Sequence, residues 1–200
     1  MPGNNRQRTG YLQFNVGAAY ELQSLHDDLA QRFLTEAELF RLLDAAGDRD
    51  RLLLEVIYYS GMRISSLIGL CWQHLNQNRL TVHGKGRKTN VIVLPERIAL
   101  ALMAAKPAQA GLDDSIFVRP RTGKAMNRTD VTRIVKRAAK AIGKSEVSPH
   151  WLRHAHASHA LDRGASVAIV RDTLGHSNVS VTNKYLHARP DDSSGLYLSS

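Results

Sequence analysis

The sequence predicts a mainly α-helical domain with one small antiparallel β-sheet, an α+β fold. Apolar residues recur at helical spacing over most of the chain, as in Leu22, Leu25, Leu29 and Phe33. One region breaks that period. Arg79-Leu80-Thr81-Val82-His83 and Asn90-Val91-Ile92-Val93-Leu94 are β-rich runs separated by Gly84-Lys85-Gly86-Arg87-Lys88-Thr89, the pattern of a hairpin with a basic tip. Helix starts and stops punctuate the rest at Thr35, Gly61, Asn127, Ser148, Ser166 and Gly175.

The elements follow in order. Residues 1 to about 17 are polar and read as an arm, and Ala18 to Phe33 as an amphipathic helix. Thr35-Glu36-Ala37-Glu38 is a capping box that opens a helix through Ala46. An apolar helix spans Asp48 to Ser60 and ends at Gly61, and a short one runs from about Ile64 to Leu70. After the hairpin, Pro95 ends the second strand and a helix continues to about Ala105. Ile116-Phe117-Val118 is a short strand or an extended piece, and Asn127 caps a basic helix to about Ile142. Ser148 caps and Pro149 begins the next helix. Ser166 opens another that Gly175 stops, and the segment around Tyr185 is helical to about Ala188.

Composition narrows the function classes. The chain has 200 residues, 43% of them hydrophobic, enough for a sizeable core. A formal charge of +9 and a pI near 10.0 point to a polyanionic partner. Cys71 is the single cysteine, so an intrachain disulfide is excluded, which fits a reducing compartment. No apolar run approaches the roughly 20 residues of a membrane span. The N-terminus lacks the apolar core of a secretory signal, and no metal motif of Cys/His type occurs. The expectation is a soluble cytoplasmic protein with no metal and no cofactor.

The chemistry concentrates in the last quarter, where His150-x-x-Arg153-His154, Leu174-Gly175-His176 and Tyr185 follow one another. Arg63 upstream and Lys85 in the hairpin complete the set. Such residues suit a phosphodiester. Arginine forks are planar and permanently charged, so Arg63 and Arg153 match non-bridging oxygens that gain charge in the transition state. A tyrosine phenol, with a pKa of about 10, needs neighbouring positive charge to act as a nucleophile. His150 and Arg153 stand three apart and share a helix face, whereas His154 is read as pointing elsewhere in a supporting role. Lys85, between two glycines, can protonate a leaving 5′ oxygen. Arg87, Lys88, Arg128 and Arg133 are candidates for DNA backbone contact. Each residue alone is as readily a surface or core residue; their joint order and spacing carry the inference.

In these motifs, with Gly61-Met62-Arg63-Ile64-Ser65, Gly84-Lys85-Gly86 and Tyr185-Leu186-His187, the sequence resembles the catalytic domain of the tyrosine recombinase (phage integrase) family, in the style of its Xer-like members. The resemblance covers roughly Thr35 to Ala188 and fills all six catalytic positions: Arg63, Lys85, His150, Arg153, His176 and Tyr185. It implies that Tyr185 attacks the scissile phosphate to leave a 3′-phosphotyrosyl link and a free 5′-hydroxyl. It further implies that the arginines steady the pentacoordinate state, that His150 and His176 assist proton transfer, and that Lys85 is the general acid. Double-stranded DNA is the implied partner, with no metal or nucleotide, a homo-tetramer on DNA, and accessory proteins as further partners. Residues 1–34 then form an arm and linker helix, 35–188 the catalytic domain and 189–200 a tail. Two departures stand out: Ser66 occupies the place of a usual glutamate, and the stretch ahead of Thr35 is shorter than the family's core-binding domain. Two other readings share these residues, a supercoil-relaxing enzyme and a DNA-binding protein that keeps the fold without strand exchange.

Overall fold

The computed structural model describes residues 34–83 and 89–175. The expected arm and helix before residue 34, the hairpin tip and the Tyr185 segment lie outside them. The described residues belong to one compact unit, Phe33–Ser200.

Local chemistry accounts for the elements. Helix α1, Glu36–Asp44, begins at the predicted capping box: Thr35 Oγ1 accepts from the Glu38 N–H at 3.2 Å, and Glu38 Oε2 accepts from the Thr35 N–H at 2.9 Å. Helix α2, Asp48–Ser60, and the short α3, Ile64–Ile68, lie either side of Gly61. A single turn of 3₁₀ helix, Trp72–His74, leads into β1, Leu75–Asn76, then β2, Arg79–His83, and β3, Thr89–Val93. The sheet is antiparallel in the order β1-β2-β3, with Leu80 opposite Ile92 and His83 opposite Thr89. The hairpin is as expected. Strand β1 is an addition: two residues are too few for a period to register, and the turn back onto Arg79 uses Gln77 at a φ of 52°.

Helix α4, Glu96–Ala104, follows Pro95. The Ile116–Val118 piece forms no strand; Val118 makes an isolated bridge to Ala125, and the Phe117 carbonyl accepts from Met126 N–H at 2.9 Å. Helix α5, Arg128–Ala141, opens with a capping box between Asn127 and Asp130, and α6, Pro149–Asp162, and α7, Val167–Leu174, complete the described chain.

The core lies where α1, α2 and α6 meet, continued by the buried face of the sheet and by α5. Leu39, Leu54, Leu67, Leu80, Val135 and Leu152 are all fully buried. A buried polar link ties α2 to α6. His159 Nε2 lies 2.9 Å from the Leu34 carbonyl, which can only accept, so Nε2 carries the proton. Nδ1 of the same ring therefore accepts from the Tyr58 hydroxyl at 3.1 Å. Burial pushes the Tyr58 phenol up to about 12, which keeps it a donor.

Gly61 is where the core leaves no room for a side chain. It ends α2 in the left-handed region at a φ of 58°, and a Cβ there would lie 2.7 Å from both His156 Cδ2 and Leu174 Cδ2. Left-handed backbone costs an ordinary residue roughly 1–2 kcal/mol, and overpacking adds about 1–3 kcal/mol. Gly61→Ala is therefore expected to lower stability by about 3 kcal/mol in urea unfolding. Gly143→Ala supplies the comparison, since Gly143 has a φ of 76° but nothing within 4 Å of its Cβ position. Equal losses in the two variants would show that the contact with His156 and Leu174 is unimportant.

Candidate active site

The site is built on the N-terminal half of α6. Pro149 occupies the first turn, where its missing N–H is no loss. Ser148 stands at the N-cap with extended backbone as expected, but its hydroxyl makes no capping bond; its carbonyl accepts from Trp151 N–H at 2.9 Å instead.

Arg153 is the centre of the arrangement. Its side chain is buried, with the residue 4% exposed. Nη1 donates to the Gly61 carbonyl at 2.5 Å and Nη2 to the Leu174 carbonyl at 2.8 Å. A buried guanidinium needs acceptors on its fork, and these two come from the end of α2 and the end of α7. Arg153 thus joins three stretches singled out in the sequence: the Gly61-Met62-Arg63 turn, its own helix, and Leu174-Gly175 just ahead of His176.

Arg63 lies two residues beyond that anchored carbonyl, at the N-cap of α3. Its backbone is held by Ser66 and Leu67 N–H bonds to its carbonyl, both 3.0 Å, and its side chain is exposed. Ser66 takes part through its backbone. His150 sits on the surface of the same region. Partial burial, then the positive charges of Arg153 and Arg63, hold its pKa below the usual histidine value. The imidazole is therefore neutral near pH 7 and can exchange a proton. His154 does not point elsewhere: its ring packs edge-on against His150, centroids 4.1 Å apart. Residues four apart on a helix are neighbours as surely as those three apart.

The hairpin reaches this site from the other side. Asn90, the second residue of β3, donates from Nδ2 to the carbonyls of Asp172 at 2.8 Å and Thr173 at 3.2 Å, in the last turn of α7. The described ladder ends at His83 opposite Thr89, and Lys85, Arg87 and Lys88 come between them in the sequence. Those three residues, with His176 and Tyr185, lie outside the described residues. Arg128 and Arg133 are exposed on α5, away from Arg153's own bonds. Arg133 lies 3.8 Å from Asp130, and α5 packs against α3 behind Arg63.

Sequence reasoning missed Asn90 and His156. An Asn in a strand and a His on a helix carry no pattern that announces a distant carbonyl as partner. His156 Nδ1 donates to the Tyr58 carbonyl at 2.8 Å beneath Gly61, and burial brings its pKa down to about 4.

That shift sets a pH dependence. In the unfolded chain this histidine takes a proton near pH 6.5, in the folded chain near pH 4, so between those values the unfolded state binds more protons. Stability should fall by about 2 kcal/mol between pH 7 and pH 4.5. His150 acts in the same direction. The lowered carboxylates Glu36, Glu38 and Asp130 lose their contribution at still lower pH. His156→Asn, which keeps a donor but does not titrate, should lose most of this slope in urea unfolding; an unchanged slope would rule out His156 as its source.

Among the described residues no group of three or more His, Cys, Asp or Glu is placed to hold a metal, and no helix is long and apolar enough to cross a membrane. A cleft of about 920 Å³, lined by Leu52, Trp72, Leu102 and Phe117, includes none of Arg63, His150 or Arg153.

The described chain thus packs helices around a three-stranded antiparallel sheet, with His150 and Arg153 on one helix and Arg63 close enough for its charge to act on His150. The phage integrase family matches residues 32–191, and the chain belongs to it. Tyrosine recombinase XerC of Thermodesulfovibrio yellowstonii is 33% identical over 174 residues, covering 78% of this chain and 58% of that protein. Tyrosine recombinase XerD of Pseudomonas aeruginosa is 37% identical over 193 residues, covering 86% and 64%. The chain therefore spans about half to two thirds of these relatives. Among solved structures, XerA recombinase aligns with a TM-score of 0.68 at 26% identity, over 79% of this chain and 61% of that one. A lambda integrase dimer bound to a core site shares the fold, with a TM-score of 0.64 at 21% identity over 80% and 50%.

Proposed function

We propose that this protein is a site-specific DNA recombinase that cuts and rejoins strands through a covalent 3′-phosphotyrosine intermediate. The observation that carries this reading is the buried Arg153, whose two bonds bring the Arg63 turn and the segment before His176 to the helix bearing His150. Membership of the phage integrase family supports it.

In the reaction, the Tyr185 phenol oxygen attacks phosphorus, and the bond from phosphorus to the 5′ oxygen breaks. Lys85 gives a proton to that oxygen, and the phenol proton passes to neutral His150 or His176. One phosphodiester replaces another, so the step needs neither oxidant nor nucleotide energy. A new 5′-hydroxyl reverses it. Arg63 and Arg153 offset the charge that builds on the non-bridging oxygens, the form of stabilisation that contributes most in such sites. Arg87, Lys88, Arg128 and Arg133 hold backbone phosphates. The partner is double-stranded DNA in the cytoplasm, and strand exchange between two duplexes calls for a homo-tetramer, with accessory proteins as further partners.

The test uses a pool of random duplexes, each nicked close to a scissile position so that the cut 5′ fragment diffuses away. A denaturing gel in the presence of EDTA should show protein attached to the 3′ end, with a 5′-hydroxyl fragment released. Attachment at a 5′ end, or a strict need for metal, overturns the mechanism. Firm DNA binding without any attachment leaves a DNA-binding protein that has kept the fold.

A further inference from the structure

We propose that the cleft lined by the start of α2, the end of α4 and the 105–127 connection is a docking site for an extended segment of a partner protein in which apolar and basic side chains alternate. The inference goes beyond the recombinase reading and does not depend on it.

The cleft holds about 920 Å³, within the range of roughly 300–1,000 Å³ usual for sites that enclose a ligand. Its lining is largely apolar, with Trp72, Leu102 and Phe117 buried and Leu52 half-buried. Much of it belongs to residues 105–127, which join α4 to α5 without a helix or a named strand. Connections beyond about 12–15 residues are uncommon in compact domains and usually functional.

The charge of the cleft is opposite to that of the chain. Asp48, Asp113 and Asp114 line it against one basic residue, Arg49, in a protein of formal charge +9. Carboxylates elsewhere, such as Asp44, Asp50 and Asp130, lie in ion pairs with Arg51, Arg137 and Arg119. Among the described residues none of the three cleft aspartates has such a partner. Asp113 accepts from Gln73 Nε2 and Asp114 from Gly111 N–H, both at 2.8 Å, and both donors are neutral. The cleft therefore attracts a basic partner and turns away DNA. Its aromatic wall accepts cations too, since the Lys106 ammonium lies 5.7 Å from the Trp72 ring centroid.

The main chain favours a polypeptide. Trp72 N–H donates to the Asp114 carbonyl at 3.1 Å and Ile116 N–H to the Leu70 carbonyl at 2.9 Å, so Cys71 and Ser115 form a non-hydrogen-bonded antiparallel pair. In such a pair the N–H and carbonyl of each residue point away from the opposite strand. No described residue is hydrogen-bonded to those of Ser115, and Ser115 lines the cleft. An extended chain can pair with that edge while its alternate side chains enter the apolar lining and meet the carboxylates.

The probe is a dye-labelled hexapeptide of alternating leucine and arginine, titrated with the full chain at moderate salt and followed by fluorescence anisotropy. It is expected to bind at least tenfold more tightly than a leucine–glutamate or a serine–arginine counterpart. Asp113→Asn with Asp114→Asn keeps both side-chain acceptors and removes two charges. Exposed ion pairs contribute roughly 1.5- to 5-fold each, so the double variant should bind at least about threefold more weakly. Ala105→Trp fills the cleft from an exposed position at the end of α4 and should abolish binding. Both variants should hold duplex DNA within threefold of wild type and unfold cooperatively, which separates a blocked cleft from a damaged fold. No binding, equal binding of the leucine–glutamate peptide, or binding that Ala105→Trp leaves untouched overturns the proposal. So does self-association of the chain that Ala105→Trp removes, without peptide binding, because the cleft then belongs to a second copy. None of these outcomes bears on the recombinase reading.

Discussion

Arg153→Ala is expected to slow covalent attachment to DNA by roughly 10²–10³-fold, the usual cost of removing one donor to transition-state charge. The structure adds a second effect to the chemical one. Truncation leaves the Gly61 and Leu174 carbonyls without their buried donor. An orphaned buried acceptor costs about 1–3 kcal/mol, so the variant should also be less stable by about that amount or more. The two losses can be separated. Arg153→Lys keeps the charge but lacks the planar fork that spans two carbonyls. It should regain part of the stability and little of the rate, because the turn before Arg63 and the end of α7 are no longer held at one distance. Urea unfolding beside single-turnover attachment reads both. A rate within threefold of wild type for Arg153→Ala would remove Arg153 from the site, and undiminished stability would contradict its bonding.

Tyr185→Phe should abolish attachment entirely while leaving DNA affinity unchanged. The substitution removes one oxygen and keeps the ring, so the reacting atom alone is gone. Among the described residues, Tyr58 is no ready substitute, since it is a buried hydrogen-bond donor whose phenol burial holds at about 12. Persistent attachment in this variant would mean a different nucleophile. Unchanged behaviour in every respect would mean that the protein binds DNA without cutting it.

Much of the fold was legible because its signals are local. Capping boxes at Thr35 and Asn127, the proline at 149 and the stops at Gly61 and Gly175 each act within a few residues, and the helices begin and end there. The change of period at Arg79 marked the hairpin for the same reason. Strand β1 escaped because two residues have no period. Arg63, His150 and Arg153 stood out as candidates, since the chemistry of a phosphodiester asks for those side chains and their spacing fits one helix and one turn.

What the sequence could not determine is where each side chain spends its hydrogen bonds. Arg153 reads as an open fork for a ligand, yet its side chain donates to main-chain carbonyls 92 and 21 residues away. Asn90 reads as an ordinary strand residue and caps a helix 82 residues on. His154 reads as turned away and packs on His150. Backbone carbonyls are alike in every residue, so no residue type announces which of them a side chain will meet. Sequence determined the fold class, most helix starts and the candidate groups; tertiary structure alone decided which of the described groups stand together, because only packing brings a helix end, a turn and a strand within a hydrogen bond of one another.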